Sequence, residues 1–158
     1  MDKTNVMRIL DQKKIAYNQF NYDQTIVDGV SVAAALDENA DHVFKTLVTV
    51  GNNGVHFVFV VPVACNLNLK KAAKIVGVKS IDMIKQKELL PLTGYIHGGC
   101  SPIGMKKLFR TVIHESALGF NTIFVSAGRV GYQVEVNPNA LAAIIRADFA
   151  DIIDTEHN

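Results

Sequence analysis

Residues 94–107 form a glycine-rich stretch with the sequence GYIHGGCSPIGMKK. Consecutive glycines permit positive φ angles and close approach of a ligand to the backbone, and Pro102 biases Ser101 toward an extended conformation. We therefore predict a rigid loop that presents main-chain carbonyl and N–H groups to a small polar ligand. The stretch lacks the spacing of a phosphate-binding loop or of a dinucleotide fingerprint. An ordinary tight turn is the alternative interpretation.

Lys45 is the single residue whose setting most suggests chemistry, because it lies in the apolar segment VFKTLVTV, residues 43–50. Alternate side chains of a strand share a face, and both faces of this segment are largely apolar. We predict a strand covered on both sides, with the Lys45 ammonium at the lip of a pocket facing a polar or anionic ligand. Alternatively, the aliphatic stem only carries the charge out to water.

The cysteines and histidines do not form a recognisable reactive or metal-binding motif. Cys65 and Cys100 are far apart in the chain, and the five histidines are scattered without HxxxH or HExxH spacing. We interpret both cysteines as reduced thiols of a cytoplasmic protein and expect neither a metal nor a cofactor. Cys100 as a nucleophile is an alternative, although no base is identifiable beside it.

Basic residues cluster in two places. Lys70, Lys71 and Lys74 lie on one predicted helix, and Lys106 and Lys107 follow the glycine-rich stretch. Solvated surface lysines are the simplest explanation, but a basic margin beside a pocket also suits the phosphates of a nucleic-acid end. The formal net charge is only +1, so any nucleic-acid site must be local.

The surrounding segments predict the elements that position these residues. Helices are expected over residues 4–14 with Thr4 as cap, 31–36 with Ser31 as cap, 69–77 with Asn68 as cap and Gly77 as stop, 80–90 ended by Pro91, and 138–147 with Asn137 as cap. Strands are expected over residues 16–23, 43–50, 55–63, 108–116, 122–136 as two strands around a turn, and 149–153.

Helices and strands alternate irregularly, and several strands are linked as hairpins. This order predicts an α+β fold, a single domain over residues 1–158 with a mixed, curved, barrel-like sheet flanked by helices. Hydrophobic residues make up 49% of the chain and charged residues 20%, which is typical of a folded protein. The apolar runs are too short to span a bilayer and the N-terminal segment is unlike a signal peptide, so we expect a cytoplasmic location and no membrane partner.

Lys45 and the glycine-rich stretch belong to a series of four segments that occur along the chain in this order: FKTL, NLKKAAKIVGVKS, TGYIHGGCSPIG and IFVSAGRVGYQVEV. In this order they resemble the bacterial YbaK/EbsC family of free-standing Cys-tRNA(Pro) deacylases, which are related to the editing domain inserted in many prolyl-tRNA synthetases. The resemblance covers residues 3–154. It implies the YbaK/aminoacyl-tRNA synthetase-associated fold and trans-editing of mischarged aminoacyl-tRNA, most directly Cys-tRNA(Pro), with prolyl-tRNA synthetase as a partner to be tested.

The resemblance also implies roles for individual residues. Lys45 matches the essential lysine that holds the 3′ end of the tRNA and its ester. The residues that match the pocket and its loop are Tyr22, Gly98, Gly99, Ser101, Pro102, Ser126 and Gly128. No protein nucleophile is implied, because the thiol of the misattached cysteine attacks its own ester carbonyl and the protein positions it. The lysines at 70, 71, 74, 106 and 107 are expected to hold the acceptor end.

Three departures from the family pattern bear on amino-acid specificity. Cys100 precedes the SP dipeptide where relatives often carry an apolar residue, and Gln133 stands where relatives often carry an acid. The segment 28–40 is shorter than in close Cys-specific relatives. A deacylase for Ala or another small residue therefore remains an alternative. A non-catalytic regulatory relative is another, although the retention of Lys45 and GGCSP argues against it.

Overall fold

The computed structural model describes residues 2–155, so residue 1 and residues 156–158, the ends of the predicted domain, lie outside the described residues. The helices are α1 (Asn5–Gln12), α2 (Gly29–Ala35), α3 (Leu69–Val76), α4 (Gln86–Thr93) and α5 (Pro138–Ile145), with a 3-10 turn at Glu115–Gly119. The strands are β1 (Tyr17–Asn21), β2 (Phe44–Gly51), β3 (His56–Pro62), β4 (Ile81–Met83), β5 (Arg110–His114), β6 (Ile123–Ser126), β7 (Tyr132–Val136) and β8 (Asp148–Ala150).

These strands form two sheets. The larger has the order β4-β2-β3-β5-β8, antiparallel from β4 to β3 and parallel from β3 to β8, and the smaller is antiparallel with the order β1-β7-β6. A parallel bridge between Val43 and Phe124 connects them. The α+β class and the mixed sheet are confirmed. The two sheets do not close into a barrel, because β6 pairs along its length with β7 and is bridged to the larger sheet at Val43, just before β2.

Apolar residues cover both faces of the larger sheet. Along β3, Val60 belongs to a cluster shared with α1, α5 and the smaller sheet, while Phe59 and Val61 belong to a second cluster under α3. Along β2, Phe44 packs in the first cluster and Leu47 against the second. The prediction that the strand carrying Lys45 is covered on both sides is therefore confirmed.

Local capping chemistry defines most of the helix starts. The side chains of Thr4, Asn68 and Asn137 each accept a hydrogen bond from a backbone N–H three residues later, as predicted. The prediction that α1 reaches Lys14 is wrong. Lys14 adopts a φ of 58°, which ends the helix and turns the chain toward β1.

The predicted Ser31 cap of α2 is also wrong. The Asp28 carboxylate accepts hydrogen bonds from the Ser31 N–H at 3.1 Å and the Ser31 hydroxyl at 2.8 Å, so the helix begins at Gly29. Aspartate caps a helix as well as serine does, and the carboxylate also suits the positive end of the helix dipole. Ser31 is the third helical residue and supports the cap instead of providing it.

The predicted helix over residues 80–90 is wrong at both ends. Ile81–Met83 forms β4, which pairs with Thr49–Gly51, and α4 begins only at Gln86. The helix then continues past Pro91 to Thr93. Proline removes one helical N–H, whose acceptor would be the Lys87 carbonyl, and so short a helix tolerates that loss.

Candidate functional site

A cleft of about 410 Å³ lies between the N-terminal half of β2, the start of α2 and the glycine-rich loop. Residues 43–47 form one wall, residues 27–29 and 32 a second, and residues 97, 98 and 100 a third. Ser126, Gln133 and Tyr22 add polar groups from the smaller sheet and the end of β1. The volume lies within the usual range of small-molecule sites.

The cleft exists because one edge of β2 is open there. β4 pairs only with Thr49–Gly51, and the bridge to β6 involves only Val43. The Val63 N–H donates to the Val43 carbonyl, and the Gly51 N–H donates to the Val55 carbonyl. The main-chain N–H and C=O groups of the odd-numbered residues of β2 therefore point toward β3. By alternation the main-chain groups of Thr46 point away from β3, toward the cleft.

Lys45 contributes the positive charge of the site. The residue is partly buried, and its ammonium makes no ion pair with any residue in 2–155. The carboxylate on the cleft wall, Asp28, has a lowered pKa chiefly because of the hydrogen bonds from Ser31, with a smaller contribution from Lys45. Because Asp28 is engaged in capping α2, the Lys45 ammonium is available to a polar or anionic ligand.

Three residues that line the cleft each have a buried polar atom without a hydrogen-bond partner among the described residues: Tyr22 Oη, Thr46 Oγ1 and Gln133 Oε1. Buried polar groups in native proteins nearly always have a partner, because leaving one unpaired costs free energy. All three residues line the same cleft, although these atoms themselves are shielded from solvent.

Gly98 and Gly99 of the loop are each required for a different structural reason. Gly98 lines the cleft with a φ of 86°, a conformation that side chains rarely adopt. Gly99 lies against the turn at residues 129–130, where an added Cβ would be 2.9 Å from the Val130 nitrogen. A side chain at residue 99 would therefore push the loop away from the smaller sheet.

The residues that follow these glycines stabilise the loop from behind. Ser101 is fully buried, and its hydroxyl accepts a hydrogen bond from the Ile103 N–H at 3.2 Å. Pro102 faces a separate cavity of about 220 Å³ on the other side of the loop. These contacts position the loop without exposing Ser101 or Pro102 to the cleft.

Cys100 lines the cleft but is poorly suited to nucleophilic attack. Burial raises the pKa of its thiol to about 12, with a small opposing effect from a hydrogen bond to Thr93. The thiolate is the reactive form, so Cys100 stays protonated at neutral pH. Cys65 lies outside the cleft lining.

The structure brings together four of the predicted pocket residues, Lys45, Tyr22, Gly98 and Ser126, on the cleft wall. The remaining four lie behind it: Gly99, Ser101, Pro102 and Gly128. Gly128 donates its N–H to the Ser126 hydroxyl at 3.2 Å and so supports a residue that does line the cleft. The part that each residue plays in binding stays a prediction.

Sequence reasoning missed Thr46, Asp28 and His97 as cleft residues, and it treated Gln133 only as a departure from a pattern. The position of Asp28 three residues before Ser31 was a detectable capping signal. Thr46 follows Lys45, but strand alternation assigns them to opposite faces. Gln133 carried no local signal, because its place beside the cleft depends on how the two sheets meet.

The predicted basic residues lie outside the cleft lining. Lys71 donates to Asp151 at 2.9 Å and to the Ile153 carbonyl at 2.8 Å, which ties α3 to the C-terminal segment. Lys70, Lys74, Lys106 and Lys107 are exposed. Lys71 is therefore engaged structurally, whereas these four are accessible to a phosphate backbone. No helix within residues 2–155 has the length and apolarity needed to cross a membrane.

Comparisons with known proteins agree on one family. The aminoacyl-tRNA editing domain matches residues 25–144. A relative from Enterococcus faecalis, named as the candidate Cys-tRNA(Pro)/Cys-tRNA(Cys) deacylase EbsC, is 43% identical over 156 residues, covering 98% of this chain and 95% of that protein.

Two solved structures share the fold. A candidate trans-editing enzyme for prolyl-tRNA synthetase superposes with a TM-score of 0.83 at 22% identity, covering 98% of this chain and all 100% of that one. A hypothetical protein superposes with a TM-score of 0.88 at 21% identity, covering 96% and 100% of the two chains. At these identities the likeness establishes the fold alone.

Proposed function

Because the chain belongs to the aminoacyl-tRNA editing domain family, we propose that it is a trans-editing deacylase that removes a misattached amino acid from tRNA, with Cys-tRNA(Pro) as the main substrate. The observation that carries the proposal is the cleft, in which Lys45 makes no ion pair within residues 2–155 and shares the wall with Tyr22, Ser126 and the glycine-rich loop. The name of the Enterococcus faecalis relative supports the choice of cysteine.

The chemistry uses the thiol of the substrate. Its sulfur attacks the carbonyl carbon of the same aminoacyl group, the carbon–oxygen bond of the ester breaks, and the 3′ oxygen of the tRNA leaves with the proton from the thiol. Water then opens the cyclic thioester to give free cysteine. Lys45 holds the acceptor end and stabilises the negative charge that develops on the ester oxygens, which is the kind of electrostatic contribution that most lowers such barriers.

The protein groups on the cleft wall suit a positioning role. Cys100 is protonated, because burial raises its pKa to about 12. The Ser126 hydroxyl accepts a hydrogen bond from the Gly128 N–H. Orientation of two reacting groups within one substrate can by itself supply several kcal/mol, on the order of 7–11 at best.

We propose that the protein acts in the cytoplasm on tRNA(Pro) mischarged by prolyl-tRNA synthetase. Cysteine and proline are close in size, and an apolar pocket distinguishes near-isosteres by only about 1–3 kcal/mol. A second, hydrolytic site is the general solution to this problem. Because the proposed cleft recognises the aminoacyl end, tRNA identity would come from prolyl-tRNA synthetase as a partner.

A deacylation assay tests this function directly. Cys-tRNA(Pro), Ala-tRNA(Pro), Pro-tRNA(Pro) and S-methylcysteinyl-tRNA(Pro) are incubated with the wild type, with Lys45→Ala and with Lys79→Ala, an exposed lysine outside the cleft lining. We expect cleavage of Cys-tRNA(Pro) alone and a loss of about 100-fold or more in Lys45→Ala, the size expected for removing a group that stabilises developing charge. Lys79→Ala should behave as the wild type.

Each outcome has a distinct meaning. Turnover by Lys45→Ala at the wild-type rate contradicts the site. Cleavage of the S-methyl substrate contradicts attack by the substrate thiol, and efficient cleavage of Ala-tRNA(Pro) points to the alternative specificity for small residues. Circular dichroism and Tm check that Lys45→Ala is folded, and little change is expected because the substitution removes a partly buried unpaired charge.

A further inference from the structure

We propose that Tyr95 is a positioning residue of the deacylase, which fixes the glycine-rich loop relative to the segment that carries Ser126. The inference rests on the proposed function and gives a role to a side chain that lies outside the cleft lining. Its basis is that the Tyr95 side chain is hydrogen-bonded to the loop and lies against Gly128, the residue that supports Ser126.

The Tyr95 side chain joins the two ends of the glycine-rich loop. Its hydroxyl donates a hydrogen bond to the Ile103 carbonyl, eight residues further along the chain. At the start of the loop, the Tyr95 N–H donates to the Thr93 hydroxyl at 3.0 Å. Gly98 and Cys100, which line the cleft, lie between these two points. The enclosed segment has fewer accessible conformations because both of its ends are held.

Burial keeps this link intact at neutral pH. Tyr95 is partly buried and packs against the apolar cluster shared by α1, α5 and the smaller sheet. Burial raises the pKa of its phenol to about 12, with a smaller contribution from the Cys100 thiol, so the hydroxyl stays protonated and can donate. A hydrogen bond shielded from water is also electrostatically stronger than an exposed one.

The same ring lies against the segment that carries Ser126. An added Cβ on Gly128 would be 2.9 Å from a Tyr95 ring carbon, and one on Gly104 would be 3.0 Å from the Tyr95 hydroxyl oxygen. These two glycines therefore make room for the ring. Gly128 donates its N–H to the Ser126 hydroxyl, so Tyr95 contacts the support of one cleft wall and holds the loop that forms another.

This arrangement bears on the reaction because orientation is the contribution proposed for the protein. The substrate thiol must reach its own carbonyl carbon, and a misplacement of about 1 Å can cost on the order of 100-fold in rate. Binding of the tRNA, by contrast, is assigned to Lys45 and the exposed lysines. Loss of the Tyr95 hydroxyl should therefore lower kcat and leave KM nearly unchanged.

Tyr95→Phe tests this role because it removes only the hydroxyl and keeps the ring. Rates are measured on the aminoacyl-tRNA that the wild type cleaves fastest, so the test does not depend on which amino acid is preferred. We expect kcat to fall about tenfold and KM to stay within about twofold of the wild type. Tyr95→Leu, which also removes the ring from Gly128, should lower kcat further.

Thr49→Val is the matched control for the loss of one hydrogen bond. The Thr49 hydroxyl also donates to a main-chain carbonyl, that of Phe57 at 2.9 Å, but Thr49 is buried in β2 outside the cleft lining. Thr49→Val and Tyr95→Phe should therefore lower Tm by similar amounts, a few degrees. Only Tyr95→Phe should change kcat, whereas a merely structural role of Tyr95 predicts the same kcat in both variants.

The outcomes separate this inference from the proposed function. Turnover by Tyr95→Phe at the wild-type kcat overturns the positioning role and leaves the enzyme assignment standing. An equal fall in kcat in Thr49→Val overturns it as well, and so does a rise in KM with no change in kcat, which would assign Tyr95 to binding. If the wild type cleaves none of the aminoacyl-tRNAs, the proposed function is contradicted and the positioning role falls with it.

Discussion

Lys45 and Thr46 are neighbours in the chain, and both line the same cleft, although consecutive residues of a strand point to opposite faces. The reason is that this part of β2 is an open edge, so a cleft that wraps around the edge contacts both faces. Lys45 and Thr46 can therefore both contact one ligand. A lysine in the middle of a sheet would not have had this arrangement.

The cysteines provide a direct test of whether the protein supplies a nucleophile. The double variant Cys65→Ala, Cys100→Ala should keep a sizeable fraction, on the order of half, of the wild-type deacylation rate, because a thiol whose pKa is raised to about 12 is not a thiolate at neutral pH. Mass spectrometry of the protein during turnover should detect no added cysteinyl group. An acyl-enzyme trapped on either cysteine would refute the mechanism.

Helix α2 connects local capping chemistry to the shape of the cleft. Its cap, Asp28, and its first residue, Gly29, both line the cleft, and an added Cβ on Gly29 would be 2.7 Å from a Val63 methyl. The close packing of the helix start on Val63 means that displacement of α2 changes the width of the site.

Asp28→Ala should therefore affect binding, whereas loss of an equivalent cap elsewhere should not. Asn68→Ala is the matched control, because Asn68 caps α3, which contributes no residue to the cleft lining. Each variant is expected to lower Tm by a few degrees, the usual effect of removing a helix cap. Only Asp28→Ala should raise KM for Cys-tRNA(Pro), by about threefold to tenfold. Equal KM values in the two variants would contradict a role for α2 in the site.

The parallel strands β5 and β8 carry a group that makes stability depend on pH. His114 ends β5, and its Nδ1 accepts a hydrogen bond from the Ile152 N–H at 3.3 Å. Burial lowers the pKa of His114 below its ordinary 6.5, and the charge of Asp151 offsets only part of that effect. A histidine with a lowered folded-state pKa stabilises the fold above its unfolded-state pKa, and this contribution is lost as pH falls below 6.5.

Thermal unfolding across pH tests this dependence. Tm of the wild type should start to fall as pH drops below about 6.5, the unfolded-state pKa of histidine. His114→Gln, which cannot be protonated, should show a shallower fall over the same range. Asp151→Asn removes a charge that raises the His114 pKa, so this variant should show a steeper fall in Tm over the same range. Superimposable curves for the wild type and His114→Gln would show that another group is responsible.

The charge distribution of the whole protein bears on tRNA selection. The formal net charge is +1, so attraction to tRNA must come from local groups such as the exposed lysines at 70, 74, 106 and 107. Phosphate contacts of this kind carry little sequence information. The isolated protein should therefore distinguish amino acids better than it distinguishes tRNAs.

Charge reversal on α3 tests this expectation. Lys70→Glu with Lys74→Glu should weaken binding of all tRNAs to a similar extent, roughly tenfold, and affinity should fall steeply with salt. Lys71 is left in place because its ion pair with Asp151 holds α3 to the C-terminal segment. Affinity that is independent of salt, or a strong preference for one uncharged tRNA, would be incompatible with recognition through phosphates.

The sequence by itself determined the features that depend on near neighbours. The caps at Thr4, Asn68 and Asn137 and the hairpin between β2 and β3 were predictable, because capping and turn formation involve residues only a few positions apart. The apolar surroundings of Lys45 followed from strand periodicity in the same way. The order of the motifs was sufficient to indicate the family.

Only the tertiary structure decided which groups face the cleft. Residues 81–83 are a strand because they pair with β2, and the same short pairing leaves the edge beside Thr46 open. Gln133 is buried and unpaired because two sheets meet there, and Lys71 is engaged because the C-terminal segment packs under α3. These features depend on contacts between segments far apart in the chain. The intrinsic propensities of the residues do not encode such contacts.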